Sequence, residues 1–95
     1  DDGVEELFFC RAKSPQRYQA HVNGRSGDIV SLIPWGGPVH EVQTENLKWQ
    51  LHRETLYPEK TRGISNEMTS DTASIQIQSG LLLIVHHRQS PASTL

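Results

Sequence analysis

Tyr18, Trp35, Gly36 and Trp49 are the residues of this 95-residue chain best placed for recognition chemistry. Exposed aromatic rings give a ligand a large, rigid contact surface. Trp35 lies in Pro34-Trp35-Gly36-Gly37-Pro38, a tight loop that presents an indole at its tip, with Gly36 beside it. The alternative is an indole packed over the mouth of the fold. Tyr18 starts an alternating run, Tyr18-Gln19-Ala20-His21-Val22, and reads either as a half-buried strand residue or as a ligand contact. Trp49 alternates with Leu51 and reads as a core residue or as a further wall of a site, a role open also to Tyr57.

Other chemistries find less support. Catalysis needs a nucleophile beside a base, or paired carboxylates in a cleft. Cys10 falls inside a strand candidate, where a lone cysteine acts as a small apolar residue. Glu67 and Asp71 lie in a long loop without a recognisable partner. Asn23-Gly24-Arg25-Ser26-Gly27 lacks the Gly-Lys-Ser/Thr ending of a phosphate loop. His86 and His87 are adjacent, so on a strand they face opposite sides. The remaining histidines show no zinc spacing, and one cysteine is too few for a thiolate site. No catalytic residue, metal or cofactor is expected. Arg11, Lys13, Arg17 and Arg25 read either as a basic edge or as scattered solvated charges.

The elements that must position these residues are short. Strand candidates run over 8–13, 17–22, 28–33 and 38–42, with Pro or Gly in each gap. Val39 and Val42 anchor the fourth, with an irregularity between them. Asn23-Gly24 is a strong hairpin signal. A fifth strand is expected over 48–53, with a helix over 44–54 as the alternative. Residues 55–72 read as a loop, 73–88 as a second hairpin turning at Ser79-Gly80, and 89–95 as a polar, disordered tail. The chain opens on Asp1 rather than Met, which implies an excised domain or a processed product. The hydrophobic fraction of 35% implies a thin core. A formal charge of −2 argues against tight non-specific DNA binding. The apolar run Leu81 to Val85 is too short to span a bilayer, and the single cysteine fits a reducing, intracellular compartment, nuclear or cytoplasmic.

The order Cys10-Arg11-Ala12, Tyr18-Gln19-Ala20-His21-Val22, Ile29 to Ile33, Trp35-Gly36 and Asn46-Leu47 resembles a Tudor domain over about half the chain. The resemblance implies an all-β fold: a small SH3-like barrel over 1–54, with the second hairpin packed on it or extending it. It also implies a non-catalytic module that docks proteins or reads methylated lysine or arginine in chromatin or ribonucleoprotein, through cation–π attraction in an aromatic cage. Tyr18 and Trp35 match cage positions. Ser14, Leu32 and Gly37 stand where cage aromatics and an orienting asparagine are common, so the cage is depleted. The expected partner is therefore a protein or a methylated or basic peptide, with no membrane, and an exposed edge would allow a dimer through the second hairpin. Two other resemblances compete. Gly37 to Val42 with Leu47-Lys48 is similar to the DNA-contacting C-terminal SH3-like domain of retroelement integrases, which would make nucleic acid the partner. Leu56-Tyr57-Pro58 and Met68 to Ser74 are similar to CcdB-type toxins, which would make the chain an enzyme inhibitor.

Overall fold

The computed structural model describes residues 4–60 and 62–88. Eight strands build it: β1 (Val4–Ala12), β2 (Tyr18–Asn23), β3 (Ile29–Pro34), β4 (Val39–Glu45), β5 (Glu54–Leu56), β6 (Asn66–Glu67), β7 (Thr72–Ile77) and β8 (Gly80–Arg88). They form two antiparallel four-stranded sheets, ordered β1-β8-β3-β6 and β2-β7-β4-β5. The domain is all-β, as the strand-length patterning implies, and no helix occurs among the described residues. The expected tail over 89–95 lies outside them.

Alternation decides which residues meet between the sheets. Val30 and Leu32 of β3, Leu82 and Ile84 of β8, and Ala73, Ile75 and Ile77 of β7 are all buried. Each large aliphatic side chain so placed contributes about 1.5–3 kcal/mol of transfer free energy. In β4, Val39 and Val42 both point inward although they are three positions apart. A register shift between them and a left-handed Glu41 (φ 55°) make this work, which is the irregularity their spacing implies.

The turns differ from expectation. β1 and β2 lie in different sheets, as do β2 and β3, β3 and β4, and β7 and β8. The segments that read as hairpin turns are therefore corners that carry the chain from one layer to the other. Gly80 shows why such a corner needs glycine. Its φ is +113°, and an added Cβ would stand 2.9 Å from the Pro38 carbonyl oxygen and from Val39 Cα. Segment 73–88 is consequently no appendage: β7 and β8 are interior strands, each paired on both sides. The loop expected over 55–72 holds β6 and the end of β5.

One polar cluster is enclosed by this framework. His86, fully buried on β8, places Nδ1 2.9 Å from Glu6 Oε1 and Nε2 2.9 Å from Asp28 Oδ2. Arg88 Nη2 donates to the second Glu6 oxygen at 2.8 Å, and the Arg25 backbone N–H donates to Asp28 Oδ2. Each ring nitrogen thus faces a carboxylate oxygen, and the ring bridges β1 to the β2–β3 corner. Asn23-Gly24 is thus used to admit this cluster, since a side chain at Gly24 would collide with Asp28 and His86.

Candidate functional site

The sequence predicts a strand over 48–53; residues 46–53 form an irregular arc instead. Asn46 (φ 67°) and Arg53 (φ 54°) bend the chain into left-handed conformations at its two ends. Between them Leu47 and Leu51 are buried while Trp49 is 50% exposed. A regular strand would put residues 47, 49 and 51 on one face. The bends break that rule and turn Trp49 outward, so it is not a core residue.

The arc is nevertheless held tightly. Leu51 N–H donates to the buried Thr44 hydroxyl at 3.0 Å, and Thr44 N–H donates to the Leu51 carbonyl. Lys48 N–H donates to the Glu67 carbonyl at 2.8 Å. The decisive contact is Asn66 on β6. Its side-chain oxygen accepts from Trp49 N–H at 3.0 Å and its amide nitrogen donates to the Trp49 carbonyl at 2.7 Å. The same oxygen accepts from Glu67 N–H. Asn66 is buried. A buried amide therefore clamps both backbone groups of the residue whose indole faces solvent. Lys48 Nζ lies 4.9 Å from the Trp49 ring centroid, so that ring face accepts a cation.

Trp35 and Gly36 stand elsewhere. Trp35 is 54% exposed, packs edge-on against Phe9 with centroids 5.7 Å apart, and borders a cleft with Arg11 and Lys13. Tyr18, 43% exposed, lines an adjoining cleft with Arg17 and the same Arg11 and Lys13. Tyr18, Trp35 and Gly36 are thus neighbours across Arg11-Ala12-Lys13, whereas Trp49 lines neither cleft. Cys10 is buried and its thiol is pushed up to about 11 by desolvation, so it stays protonated at neutral pH.

Comparison with known proteins assigns the arc a context. The family model for the vitamin B1 binding domain of thiamin pyrophosphokinase matches residues 17–82. The chain belongs to this family. The solved thiamin pyrophosphokinase of Bacillus subtilis superposes with a TM-score of 0.72 at 16% identity, covering 96% of this chain and 39% of that one. The Geobacillus thermodenitrificans enzyme gives 0.64 at 21% identity, covering 99% and 40%. A thiamin pyrophosphokinase family protein of Enterococcus faecalis gives 0.62 at 17%, covering 94% and 38%. The chain thus spans about two-fifths of the length of these thiamin pyrophosphokinases, and shares their fold over that part.

This overturns the Tudor resemblance and, with it, the methylated-peptide, chromatin, nucleic-acid and toxin readings. The thiamin pyrophosphokinase domain is named for a small molecule and belongs to a family of enzymes. The structure supplies a physical reason as well: Trp49 lines neither of the clefts beside Tyr18 and Trp35, so the three rings do not close one cage. Among the described residues no helix is long and apolar enough to cross a membrane. Asn66 and Lys48 are the residues that sequence reasoning missed. A single asparagine in a loop carries no periodic signal, and its role appears only when β6 is laid against the arc.

Proposed function

We propose that this domain holds vitamin B1 for a thiamin pyrophosphokinase, and that Trp49 supplies the ring surface on which the vitamin lies. Thiamin joins an aminopyrimidine to a thiazolium, a permanent cation without a proton to lose. Such a ring is suited to an indole face, where a cation contact contributes about 0.5–2 kcal/mol. The observation that carries the reading is the Asn66 clamp on a half-exposed tryptophan. A backbone held in advance spares the site the cost of ordering that segment on binding. Lys48 marks the face as one that takes a positive charge, and its exposed side chain is free to swing aside for the thiazolium.

In this reading the domain binds and orients the vitamin. Pyrophosphoryl transfer belongs to the full-length relatives, of which the chain spans about two-fifths. Titration of the chain with thiamin, followed at the Trp49 indole N–H by NMR, tests the assignment. Trp49→Ala is expected to weaken thiamin affinity by about five- to thirtyfold, corresponding to ~1–2 kcal/mol, and Trp49→Phe to restore part of it. Equal affinity in wild type and Trp49→Ala would refute the reading.

A further inference from the structure

The surface beside Trp35 has the opposite electrostatic character. The cleft there is open to solvent, with a volume of about 600 Å³, and adjoins one of about 250 Å³. Arg11 and Lys13 line both, and Arg17 lines the smaller. No carboxylate lines either cleft, in a chain with 11 acidic and 9 basic residues. Among the described residues Arg11 and Lys13 have no acidic partner within ion-pair distance. Arg17 is oriented by the Gln78 side-chain oxygen at 3.0 Å, and the carboxylate nearest it is Glu41 at 4.0 Å. Two uncompensated cations therefore stand between two exposed rings. The Trp35 ring is set by Phe9 and by Trp35 N–H donating to the Leu81 carbonyl at 2.9 Å. Beside it, Gly36 and Gly37 leave the floor open, since a Cβ at either would meet nothing within 4 Å.

We propose that this groove binds a small phosphate ester carrying a planar heterocycle. The ring lies on Trp35 and the phosphates sit between Arg11 and Lys13. Phosphate oxygens accept charge-assisted hydrogen bonds from both side chains, and a planar ring of either sign gains contact with the indole. The free vitamin, a cation, is repelled by the same charges. The groove thus distinguishes phosphorylated from unphosphorylated ligands. A nucleotide and the diphosphate ester of the vitamin share the required chemistry. The proposal does not depend on the Trp49 assignment, because the two surfaces have no lining residue in common.

The test is a ¹⁵N-resolved NMR titration of the chain, reading the Trp35 and Trp49 indole N–H signals separately. The probes are ADP, thiamin diphosphate, adenosine, thiamin and inorganic pyrophosphate. The expected result is a saturable shift at Trp35 with ADP or thiamin diphosphate, and none with adenosine or thiamin. Whichever of the two saturates at the lower concentration identifies the source. Arg11→Gln with Lys13→Gln is expected to weaken that binding by about tenfold or more while the remaining spectrum stays dispersed. Trp35→Leu is expected to bring the affinity down to that of pyrophosphate. Absence of saturation at millimolar concentration overturns the proposal. So does equal binding of pyrophosphate and the ring-bearing esters, equal binding of adenosine and ADP, or an unchanged affinity in the double variant.

Discussion

Replacing Asn66 by Ala removes one side chain and orphans three backbone groups: Trp49 N–H, the Trp49 carbonyl and Glu67 N–H. A typical hydrogen bond contributes about 1 kcal/mol net, and a buried group left without a partner costs about 1–3 kcal/mol. Trp49 is half exposed, so water reaches part of its backbone and the lower figure applies to each contact. The expected loss is about 3 kcal/mol, read as a drop in the urea midpoint at constant slope. Asn66→Asp separates the contributions. Its carboxylate keeps the acceptor contacts to Trp49 N–H and Glu67 N–H but sets a second acceptor against the Trp49 carbonyl. Below the pKa of that carboxyl its proton can donate there, so the Asp variant is expected to recover stability as pH falls. Thiamin affinity measured where each variant is still folded should fall in parallel, because the unclamped segment must be ordered on binding. A loss below about 1 kcal/mol would refute the clamp and leave Leu47 and Leu51 burial as what holds the arc.

Gly24→Ala is expected to destabilise the chain by about 2–4 kcal/mol in urea unfolding, since its Cβ would overlap Asp28 Oδ2 and stand 2.7 Å from His86 Nε2; a loss under 1 kcal/mol would mean the cluster relaxes freely. Glu6 titrates below its ordinary 4.5, chiefly through its hydrogen bond to His86 and then through the Arg88 charge. A carboxylate depressed in the folded state contributes stability above its unfolded pKa, and that stability is lost as pH falls through the folded value. Stability followed from pH 6 downward should therefore drop below about 4.5, and Glu6→Gln should flatten that part of the profile; an identical profile in the variant would dissociate Glu6 from acid unfolding.

Strands were the legible part of the fold, because one side of each sheet is buried and period-two alternation writes that into β2, β3 and β7. Even the bulge in β4 followed from the three-residue spacing of Val39 and Val42. Layer assignment was not legible. A two-residue gap such as Ser79-Gly80 reads alike whether the chain folds back on itself or crosses to the facing sheet. The difference lies in which strands β7 and β8 pair with, and those partners are far away in sequence. That is why 73–88 read as an addition to a barrel rather than as the centre of both sheets. Burial of His86 was equally hidden, since its acceptors, Glu6 and Asp28, are 80 and 58 residues distant.

The three aromatic residues show how exposure and charge separate roles that ring identity cannot. Tyr18, Trp35 and Trp49 all keep close to half their surface open. Taken as rings alone they suggested one cage. Their neighbours divide them. Trp49 carries an ammonium on its face and has its own backbone held by Asn66. Trp35 and Tyr18 flank Arg11 and Lys13, cations without an acidic partner. Opposite unit charges at 4 Å attract by about 4 kcal/mol at an effective dielectric of 20, and like charges repel by as much. Solvent reduces this to about 0.2–1 kcal/mol for exposed pairs, comparable with one ring contact, so ring and charge together bias which ligand each surface can hold. On the readings proposed above, Trp49 takes the thiazolium and the groove beside Trp35 takes an anion, so exchanging the charges around either ring should exchange the ligand it prefers.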